Sequence, residues 1–396
     1  MIERDLKPGW RRVKFGDVVR QCKEKADPET SGLERYIAGE HMDTDDLRLR
    51  RWGEIGSGYL GPAFHMRFKP GQVLYGSRRT YLRKVAVADF EGICANTTFV
   101  LEPKNTEELL SEFFPFLMQT DAFNDFSVKN SKGSVNPYIN FSDLEKFEFS
   151  LPPADEQRRV VLAMRAFDEC YESYFSLKEQ SEALLQSLLD GVWNAFPKQK
   201  IESLIKSGLI APPQDGNHGE KHPKASDYVS EGVPFVMASD LKGGTIDFET
   251  CSKIPEALAR TLRIGFAKSG DILLSHKGTV GEVARLGEIS TEFVMLTPQV
   301  TYYRCIDKTQ LAPDWLYFVF QTPGFKRLLG QHGKQSTRAY IGIKAQRELA
   351  IPVAEPQEQE QVLSHLVVAE KAVLDALSRA RSVTEVRKQL LAKALG

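Results

Sequence analysis

The chain has 396 residues, more than a single hydrophobic core usually holds, so its length predicts two or three domains. Its apolar fraction of 42% and charged fraction of 27% are typical of soluble globular proteins, and its apolar runs are too short to cross a membrane. The net charge of −1 is unpromising for a nucleic-acid binder, although the chain outside its two long helical segments has a slight excess of basic residues. The N-terminal segment lacks a signal-peptide core, which favours the cytoplasm.

Residues 1–152 are predicted to form a first globular domain. Short runs of β-branched and apolar residues, separated by turn residues, predict strands at 35–38, 84–89 and 97–101, and a turn that leads into a strand at 68–77. Phenylalanines at helical spacing predict a helix over 107–126. A polar loop at 129–138 then leads to the prolines that precede a long helix.

Residues 153–195 are predicted to form one long helix, because about forty residues follow Pro153 without another proline. Apolar side chains recur in steps of four and three, the heptad pattern of a helix that packs one narrow stripe against another helix. The predicted seam consists of Val160, Met164, Phe167, Tyr171, Tyr174, Ser181, Leu185, Leu188 and Val192.

The rest of the chain repeats this order, with a second globular domain at 196–353 and a second long helix at 354–396. Adding 202 to each seam position gives a second seam with one charged member, Arg387, where the first has Leu185. Arg387 could be a polar register pin or a partner contact. The second seam consists of Val362, Leu366, Ala369, Val373, Ala376, Val383, Arg387, Leu390 and Ala394.

The geometry of the helices predicts how the two repeats are arranged. At 1.5 Å per residue the first helix is about 57 Å long, too long for a domain of about 150 residues to return the chain to its start. The second helix should therefore run antiparallel to the first. The sequence predicts an α+β protein, with two globular α/β domains related by a pseudo-two-fold axis and separated by two long antiparallel coiled-coil helices.

Motifs of an autonomous catalyst are missing from the sequence. There is no phosphate-binding G-x-x-x-x-G-K-[ST], no Asn/Asp-Pro-Pro-aromatic methyltransferase loop, no Gly-x-Ser-x-Gly and no His-Glu-x-x-His. The five cysteines are scattered without a Cys-x-x-Cys pair, which favours buried free thiols over a metal site. We therefore expect neither catalysis nor metal binding by this chain.

Two polar clusters recur at equivalent places in both halves and are the candidate DNA contacts. Arginine can grip guanine edges, while lysine, serine and threonine can hold phosphates. Each cluster alone is more typical of a solvated surface loop. Because both clusters occur in both halves, DNA recognition becomes about as well supported as a solvated loop. The candidates are Arg78, Arg79, Arg83, Lys84, Lys129, Lys132, Ser134, Asn136 and Tyr138 in the first half, and His276, Lys277, Thr279, Lys334, Ser336, Arg338 and Tyr340 in the second.

The sequence resembles the specificity subunit of Type I restriction–modification systems, the HsdS family. The resemblance covers the whole chain, and the proline–Glu–Gln start of each long helix is its most specific part. The stretches that carry it are Trp10-Arg-Arg-Val-Lys-Phe-Gly-Asp17, the pair Lys69-Pro-Gly-Gln-Val-Leu74 and Lys268-Ser-Gly-Asp-Ile-Leu273, and the pair Leu151-Pro-Pro-Ala-Asp-Glu-Gln157 and Ile351-Pro-Val-Ala-Glu-Pro-Gln-Glu-Gln359.

This resemblance implies a non-catalytic subunit in which each globular unit is a target recognition domain reading one half of a split DNA sequence. The helices would set the unread spacer and dock two methyltransferase subunits, which would bind S-adenosylmethionine, and motor–nuclease subunits would join for cleavage. Two alternatives stay open. One is a coiled-coil scaffold whose repeated modules bind proteins, and the other is an enzyme that uses unrecognised chemistry.

Overall fold

The computed structural model describes residues 6–217, 222–333 and 340–395. The chain forms two compact units: the first extends to Tyr174 and also includes the chain from Ser378 onward, and the second is Phe175–Leu377. Each long helix is thus divided between the two units, whereas the boundaries predicted from the sequence treat the helices as separate segments.

The first unit contains ten strands, four whole helices and the first half of a fifth, up to Tyr174, among its described residues. The strands are β1 (Arg11–Lys14), β2 (Val19–Cys22), β3 (Arg35–Ile37), β4 (Gly53–Glu54), β5 (Phe64–Phe68), β6 (Val73–Gly76), β7 (Val85–Val87), β8 (Gly92–Ala95), β9 (Thr98–Pro103) and β10 (Glu148–Leu151). The helices are α1 (Phe15–Val18), α2 (Phe114–Met118), α3 (Asp121–Lys129), α4 (Phe141–Leu144) and α5 (Ala154–Ala195), which continues into the second unit.

Three layers build the first unit. Its strands form two four-stranded sheets, in the orders β2-β9-β6-β7 and β4-β3-β8-β5, and a separate β1-β10 pair. Val73 and Tyr75 of β6 face a core shared with α2 and the start of α5, while Leu74 between them faces a core shared with the other sheet. Because successive side chains of a strand point to opposite faces, three apolar residues in a row are buried only where both faces are covered.

The second unit repeats this design. Its strands are β11 (Lys198–Lys200), β12 (Gln214–Asp215), β13 (Val233–Val236), β14 (Leu241–Lys242), β15 (Thr245–Ile246), β16 (Lys253–Ile254), β17 (Phe266–Ala267), β18 (Ile272–Ser275), β19 (Val283–Arg285), β20 (Val294–Leu296), β21 (Val300–Tyr303) and β22 (Ala350–Pro352). Its helices are α6 (Ile201–Lys206), α7 (Glu256–Ala259), α8 (Pro313–Gln321), α9 (Pro323–Gly333), α10 (Ile343–Glu348) and most of α11 (Pro356–Leu395).

The sheet topology confirms the internal duplication predicted from the sequence. The orders β12-β21-β18-β19 and β16-β13-β20-β17, together with the β11-β22 pair, match the three sheets of the first unit, and the second unit adds the pair β14-β15. Each unit also has one parallel contact at the same place, between β3 and β8 in the first and between β13 and β20 in the second. Two copies of one topology therefore make up the globular parts of the chain.

The helix predicted over 107–126 is broken in the structure. Residues 114–118 form α2, and α3 begins only at Asp121. Thr120 separates them because its Oγ1 accepts a hydrogen bond from the Phe123 amide at 3.3 Å, the geometry of an N-cap. The phenylalanine periodicity indicated helix correctly, but the capping signal inside it was missed.

A buried glutamine fixes the start of each long helix. Gln157 Oε1 accepts from the Leu110 amide at 2.9 Å, and its Nε2 donates to the carbonyl oxygens of Glu108 at 2.8 Å and Pro152 at 2.9 Å. Gln359 repeats this pattern through one amide and two carbonyl groups, those of Ala312, Gln310 and Ala354, at 3.0, 2.8 and 2.8 Å. The glutamine of each Glu–Gln motif therefore binds the start of its long helix to a loop of the same unit, the loop before α2 for Gln157 and the loop before α8 for Gln359.

The two long helices pack together in opposite senses. In the first unit, Val161 and Met164 near the start of α5 share a core with Leu391 near the end of α11. In the second unit, Val192 near the end of α5 shares a core with Leu366 near the start of α11. The helices are therefore antiparallel, as the sequence predicts, and no helix of the described chain is long and apolar enough to cross a membrane.

The predicted seam is largely correct, with one error near the end of α11. Met164 and Leu366 are buried, but Leu390 is 41% exposed and its neighbour Leu391 is 2% exposed. The inward positions there follow one another in steps of four, through Arg387 to Leu391, because an α-helix has 3.6 residues per turn and drifts from a strict 3.5-residue repeat. Ser181, Val192, Ala369 and Ala376 are buried as well. The remaining predicted members, which are partly buried, are Val160, Phe167, Tyr171, Tyr174, Leu185, Leu188, Val362, Val373, Val383, Arg387 and Ala394.

Candidate nucleic-acid interface

The two polar clusters of the first half meet in the first unit. The loop between β6 and β7, residues 77–84, lies against the loop at 129–138 that follows α3, and we call these two segments together the first reading loop. The Arg79 amide donates to the Pro137 carbonyl at 2.6 Å, and the Ile139 amide donates to the Ser77 carbonyl at 3.0 Å. Backbone hydrogen bonds therefore join segments that are about sixty residues apart in sequence.

Side-chain and turn contacts fix the shape of this loop. Thr80 Oγ1 lies 2.9 Å from Ser131 Oγ, across the two segments. Lys132 and Tyr138 form an antiparallel bridge, with N–O distances of 2.7 and 2.9 Å, around a turn in which Gly133 has a φ of +88°. Such a turn needs a glycine because its backbone is left-handed.

Seven of the predicted contacts project from the first reading loop into solvent. Lys132 donates to Asp143 at 2.8 Å, and this hydrogen bond raises the pKa of Lys132. Arg78 and Arg79 make no side-chain hydrogen bond or ion pair with any residue that the structure describes, so both guanidinium groups are available to a ligand. The seven exposed residues are Arg78, Arg79, Lys129, Lys132, Ser134, Asn136 and Tyr138.

Arg83 differs from its prediction as a DNA contact. Its guanidinium is largely buried, and its Nε donates to Asp45 Oδ1 at 2.6 Å. Its other nitrogens donate to Asp121 Oδ1 at 2.9 Å and to the Gln119 carbonyl at 2.6 Å. All its donor nitrogens therefore bind protein acceptors, and Arg83 supports the loop from inside.

Lys84 also differs from its prediction, because its side chain is partly buried. Its Nζ donates to the Gly39 carbonyl oxygen. Burial is the main cause that lowers the pKa of Lys84, and the positive charge of Arg79 adds to the shift.

The second unit repeats the junction of the two segments. Lys277 bridges to Tyr340 as Arg78 bridges to Tyr138, and the Ile341 amide donates to the His276 carbonyl at 3.1 Å. Lys277 and Thr279 are exposed, and Tyr340 is partly so. Lys334, Ser336 and Arg338 lie outside the described residues, so the predicted contacts there stay predictions.

His276 differs from its prediction as a DNA contact. Its side chain is 1% exposed, and its Nδ1 lies 3.1 Å from the Ile341 carbonyl oxygen, with Nε2 3.8 Å from a carboxylate oxygen of Asp215. A side chain enclosed in this way cannot reach a base or a phosphate. His276 instead ties the two segments of the second unit together.

Two backbone positions distinguish the two units. Arg79 and Arg83 have left-handed φ angles of +50° and +51°, whereas Gly278 and Gly281, which follow the equivalent bridges and strand ends, have +81° and +97°. A side chain in this region costs about 1 kcal/mol or more, which glycine avoids. Side-chain hydrogen bonds offset that cost at Arg83, and backbone hydrogen bonds with Pro137 and Leu82 hold Arg79 in its conformation.

The candidate contacts predicted from the sequence do not include the exposed Tyr81, and the sequence did not predict that the two loops meet. Tyr81 lies between the arginines, within the three-residue 3₁₀ turn Thr80–Leu82, and about half of its side chain is exposed. Its position in the same basic stretch was the available signal. Among the described residues, no group of three or more His, Cys, Asp or Glu side chains is placed to hold a metal ion.

Comparison with known proteins finds one family model that matches the first unit and the start of the second, and relatives that match various shares of the chain. The family model of the Type I restriction modification DNA specificity domain matches residues 9–181. The Type I restriction enzyme MjaVIII specificity subunit of Methanocaldococcus jannaschii is 21% identical over 96% of this chain and 91% of its own length. The EcoDI specificity subunit of Escherichia coli is 26% identical over 38% of this chain and 33% of its own length.

Two solved structures share the fold along nearly the whole chain. The S subunit of a Type I restriction–modification system from M. genitalium has a TM-score of 0.59 at 13% identity, covering 100% of this chain and 98% of that one. A chain from a study of complex assembly and conformational transition of the type I R-M system has a TM-score of 0.60 at 19% identity, covering 99% and 98%. At these identities the likeness concerns the fold.

Proposed function

We propose that the chain is a DNA specificity subunit of a Type I restriction–modification system, and that each globular domain reads one half of a bipartite, asymmetric DNA sequence. The observation that carries this proposal is the recurrence of one loop junction in both units, with Arg78 beside Tyr138 in the first and Lys277 beside Tyr340 in the second. Equivalent positions carry different side chains, which suits two half-sites of different sequence.

The exposed residues of the first reading loop have the chemistry of DNA contacts. The guanidinium groups of Arg78 and Arg79, which bind no other residue that the structure describes, can each bind the O6 and N7 atoms of a guanine in the major groove. Lys129, Ser134 and Asn136 offer donors suited to phosphates and base edges. In the second domain, Lys277 and Thr279 offer the same classes of donor.

We further propose that the long helices set the spacer between the half-sites and dock two methyltransferase subunits. Leu184 on α5 is 56% exposed, and Val386, 202 positions later on α11, is 46% exposed. Large apolar side chains that are exposed at the same place of both repeats suit one partner bound twice. S-adenosylmethionine would be bound by those subunits, and motor–nuclease subunits would join the complex for cleavage.

In this proposal the chain itself performs no catalysis and acts in the cytoplasm with its DNA. The basis is the absence of nucleotide-binding, methyltransferase and hydrolase motifs from the sequence. The exposed leucines and valines of the helices also suit the alternative, a scaffold whose two modules bind proteins and for which DNA is not a ligand.

Electrophoretic mobility shift with the cognate methyltransferase subunit tests the proposal. Duplexes that carry both half-sites at the correct separation should bind, and duplexes with one half-site scrambled should bind much more weakly. Binding that ignores sequence would contradict the proposal. A salt titration separates the alternative, because neutralised phosphates make DNA affinity fall steeply with salt, whereas apolar protein contacts depend little on it.

A further inference from the structure

A buried glutamine in the first unit contacts both the first reading loop and α11. Gln119 follows α2 directly and is 5% exposed. Its backbone carbonyl accepts from Arg83 Nη2 at 2.6 Å, and its side-chain Nε2 donates to the Asp45 carbonyl at 2.8 Å. Its Oε1 accepts from Arg387 Nη2 at 2.7 Å. One residue therefore joins the loop to the long-helix pair by polar contacts alone.

The loop end of this connection holds a strained backbone in place. Arg83 has a φ of +51°, and Asp45, its partner at 2.6 Å, has a φ of +56°. The Asp45 amide also donates to the Arg83 carbonyl at 3.3 Å, so the two residues are bound through both backbone and side chain. Residues in sparsely populated backbone conformations persist where several surrounding contacts hold them. Arg83 is such a residue, and it lies at the end of the segment that begins with Arg78 and Arg79.

The helix end of the connection is equally enclosed. The Arg387 guanidinium is largely buried, its Nε donates to Asp168 Oδ1 on α5 at 2.9 Å, and it lies 5.4 Å from the Phe116 ring. Arg387 thus binds α5, α11 and the globular part at once. A buried network in which the donors are satisfied is rigid, because every alternative geometry leaves a polar group without a partner.

The connection through Gln119 and Arg387 has no counterpart among the described residues of the second unit, where Arg285 Nη1 on β19 instead donates to Glu370 Oε2 on α11 at 2.7 Å. Leu185 stands at the position equivalent to Arg387, and Gly281 stands at the position equivalent to Arg83. Gln321, the counterpart of Gln119, is present, but its Nε2 donates to the Tyr317 carbonyl of its own helix at 3.4 Å. The two arginines that complete the connection therefore occur in one repeat and not in the other.

We propose that Arg387 and Gln119 are positioning residues that transmit the geometry of the long-helix pair to the first reading loop and so to Arg78 and Arg79. The second domain lacks this link and is joined to α11 through Arg285 and Glu370, so Arg387 should not affect how it reads its half-site. The inference rests on the proposed function, since it concerns how the first reading loop is held for DNA reading. Arg387 acts through other residues and does not itself contact DNA.

The test uses the full chain with its methyltransferase subunit and duplexes carrying the site found by methylation mapping. The variants are Arg387→Leu, which installs the second repeat's residue, Arg387→Lys, and the control Arg381→Leu, which removes an exposed charge from the same helix. Discrimination is the affinity for the intact site divided by that for a site with one base pair changed, and it is measured separately in each half-site.

Arg387→Leu should lower discrimination in the first half-site about tenfold, within the usual range for a coupling residue, and should change the second by less than about twofold. Arg387→Lys should lie between Arg387→Leu and the wild type, because one ammonium can satisfy Asp168 or Gln119 but not both in the same geometry. Arg381→Leu should match the wild type in both half-sites.

Equal loss in both half-sites, or no loss in either, would overturn the inference. If Arg387→Leu does not fold, Arg83→Gly takes its place, because it removes the link to Gln119 at the loop and relieves the backbone strain there. Arg83→Gly should lower discrimination in the first half-site only. If it does not, the inference is overturned too. A wild-type complex without preference at either half-site would instead contradict the proposed function.

Discussion

At the residue scale, Gln157 and Gln359 explain why a short motif begins both long helices. Each is buried and binds one amide and two carbonyl groups of the loops around it. A buried polar group left without a partner costs free energy of the same order as the hydrogen bond it loses. No other side chain has the length and the paired donor and acceptor needed at this place, so the repeat retains glutamine although its loops differ.

Gln157→Ala should lower the free energy of unfolding by about 2–4 kcal/mol, because it leaves an amide and two carbonyl groups without partners. Chemical denaturation of the purified chain measures the loss. Gln180→Ala, on the exposed face of the same helix, should change stability by less than about 0.5 kcal/mol and is the matched control. Equal effects of the two substitutions would show that the clamp contributes no more than a surface residue.

Asp168 gives a pH-dependent prediction. Burial raises the pKa of Asp168, and the nearby Arg387 charge offsets part of that rise. A raised folded-state pKa means that the native protein binds more protons than the unfolded chain, so stability falls as pH rises through that window. Arg387→Leu raises the pKa further, and its destabilisation should therefore be greater at about pH 7 than at about pH 4.

Denaturation of the wild type and Arg387→Leu at both pH values gives this difference directly. In the double variant Asp168→Asn with Arg387→Leu, the carboxylate is gone, and the extra pH dependence should disappear. Destabilisation of Arg387→Leu that is the same at both pH values would mean that Asp168 is not the group responsible.

Arg78→Ala and Arg79→Ala should each weaken DNA binding by about 1–3 kcal/mol and relax recognition in one half-site only. Lys277→Ala should do so in the other half-site if it contacts a base. A phosphate contact would instead reduce affinity for all sequences alike and lower the salt dependence. Arg158→Ala, at an exposed i,i+3 ion pair on α5, is the control. Unchanged affinity in all three variants would remove these loops from the interface.

At the scale of the secondary-structure elements, the sequence predicted what depends on local pattern. The strands at 35–38 and 84–89 are present as β3 and β7, and the heptad pattern located both long helices. The break between α2 and α3 was missed because a capping threonine lies inside an apolar period. The prediction that Leu390 belongs to the buried seam was wrong because a strict seven-residue repeat does not match 3.6 residues per turn over a helix of forty residues.

What the sequence could not predict depends on distant contacts. Arg83 and Arg79 lie in one basic stretch, yet one binds Asp45, Asp121 and Gln119 inside the protein and the other faces solvent. Only the folded backbone decides which way each side chain points. The sequence left open whether Arg387 fixes the register of the helix pair or contacts a partner. In this structure Arg387 donates to Asp168 on α5 and to Gln119, so it binds within the chain.

Insertion of one heptad into both long helices tests their proposed role as a spacer. The insertions belong after Tyr174 in α5 and after Leu377 in α11, where each helix passes from one compact unit to the other. Seven residues add about 10.5 Å of helix, close to the rise of three base pairs, so the preferred spacer should lengthen by up to about three base pairs. The half-sites should stay the same.

An insertion into α5 alone is the control for this experiment. It displaces one helix against the other, so it should reduce folding and not produce a new spacer. If the double insertion folds and still prefers the original spacer, the helices do not set the distance between the half-sites.

At the scale of the whole molecule, duplication accounts for the presence of two similar domains that share one pair of long helices. Two copies of one topology carry similar loop junctions with different side chains, and each copy is built onto part of the same two helices. A protein with two such readers joined by one scaffold is suited to a DNA site with two separated halves. The unequal contacts of Arg387 and Leu185 further predict that the two halves are not read in the same way.

Methylation mapping across the genome of a host that carries this chain with its cognate methyltransferase subunit tests the central claim most directly. The account predicts one asymmetric motif with two specified halves and an unread gap of constant length, and it predicts that the motif is absent when this chain is omitted. A single uninterrupted motif, or the same methylation with and without the chain, would contradict it.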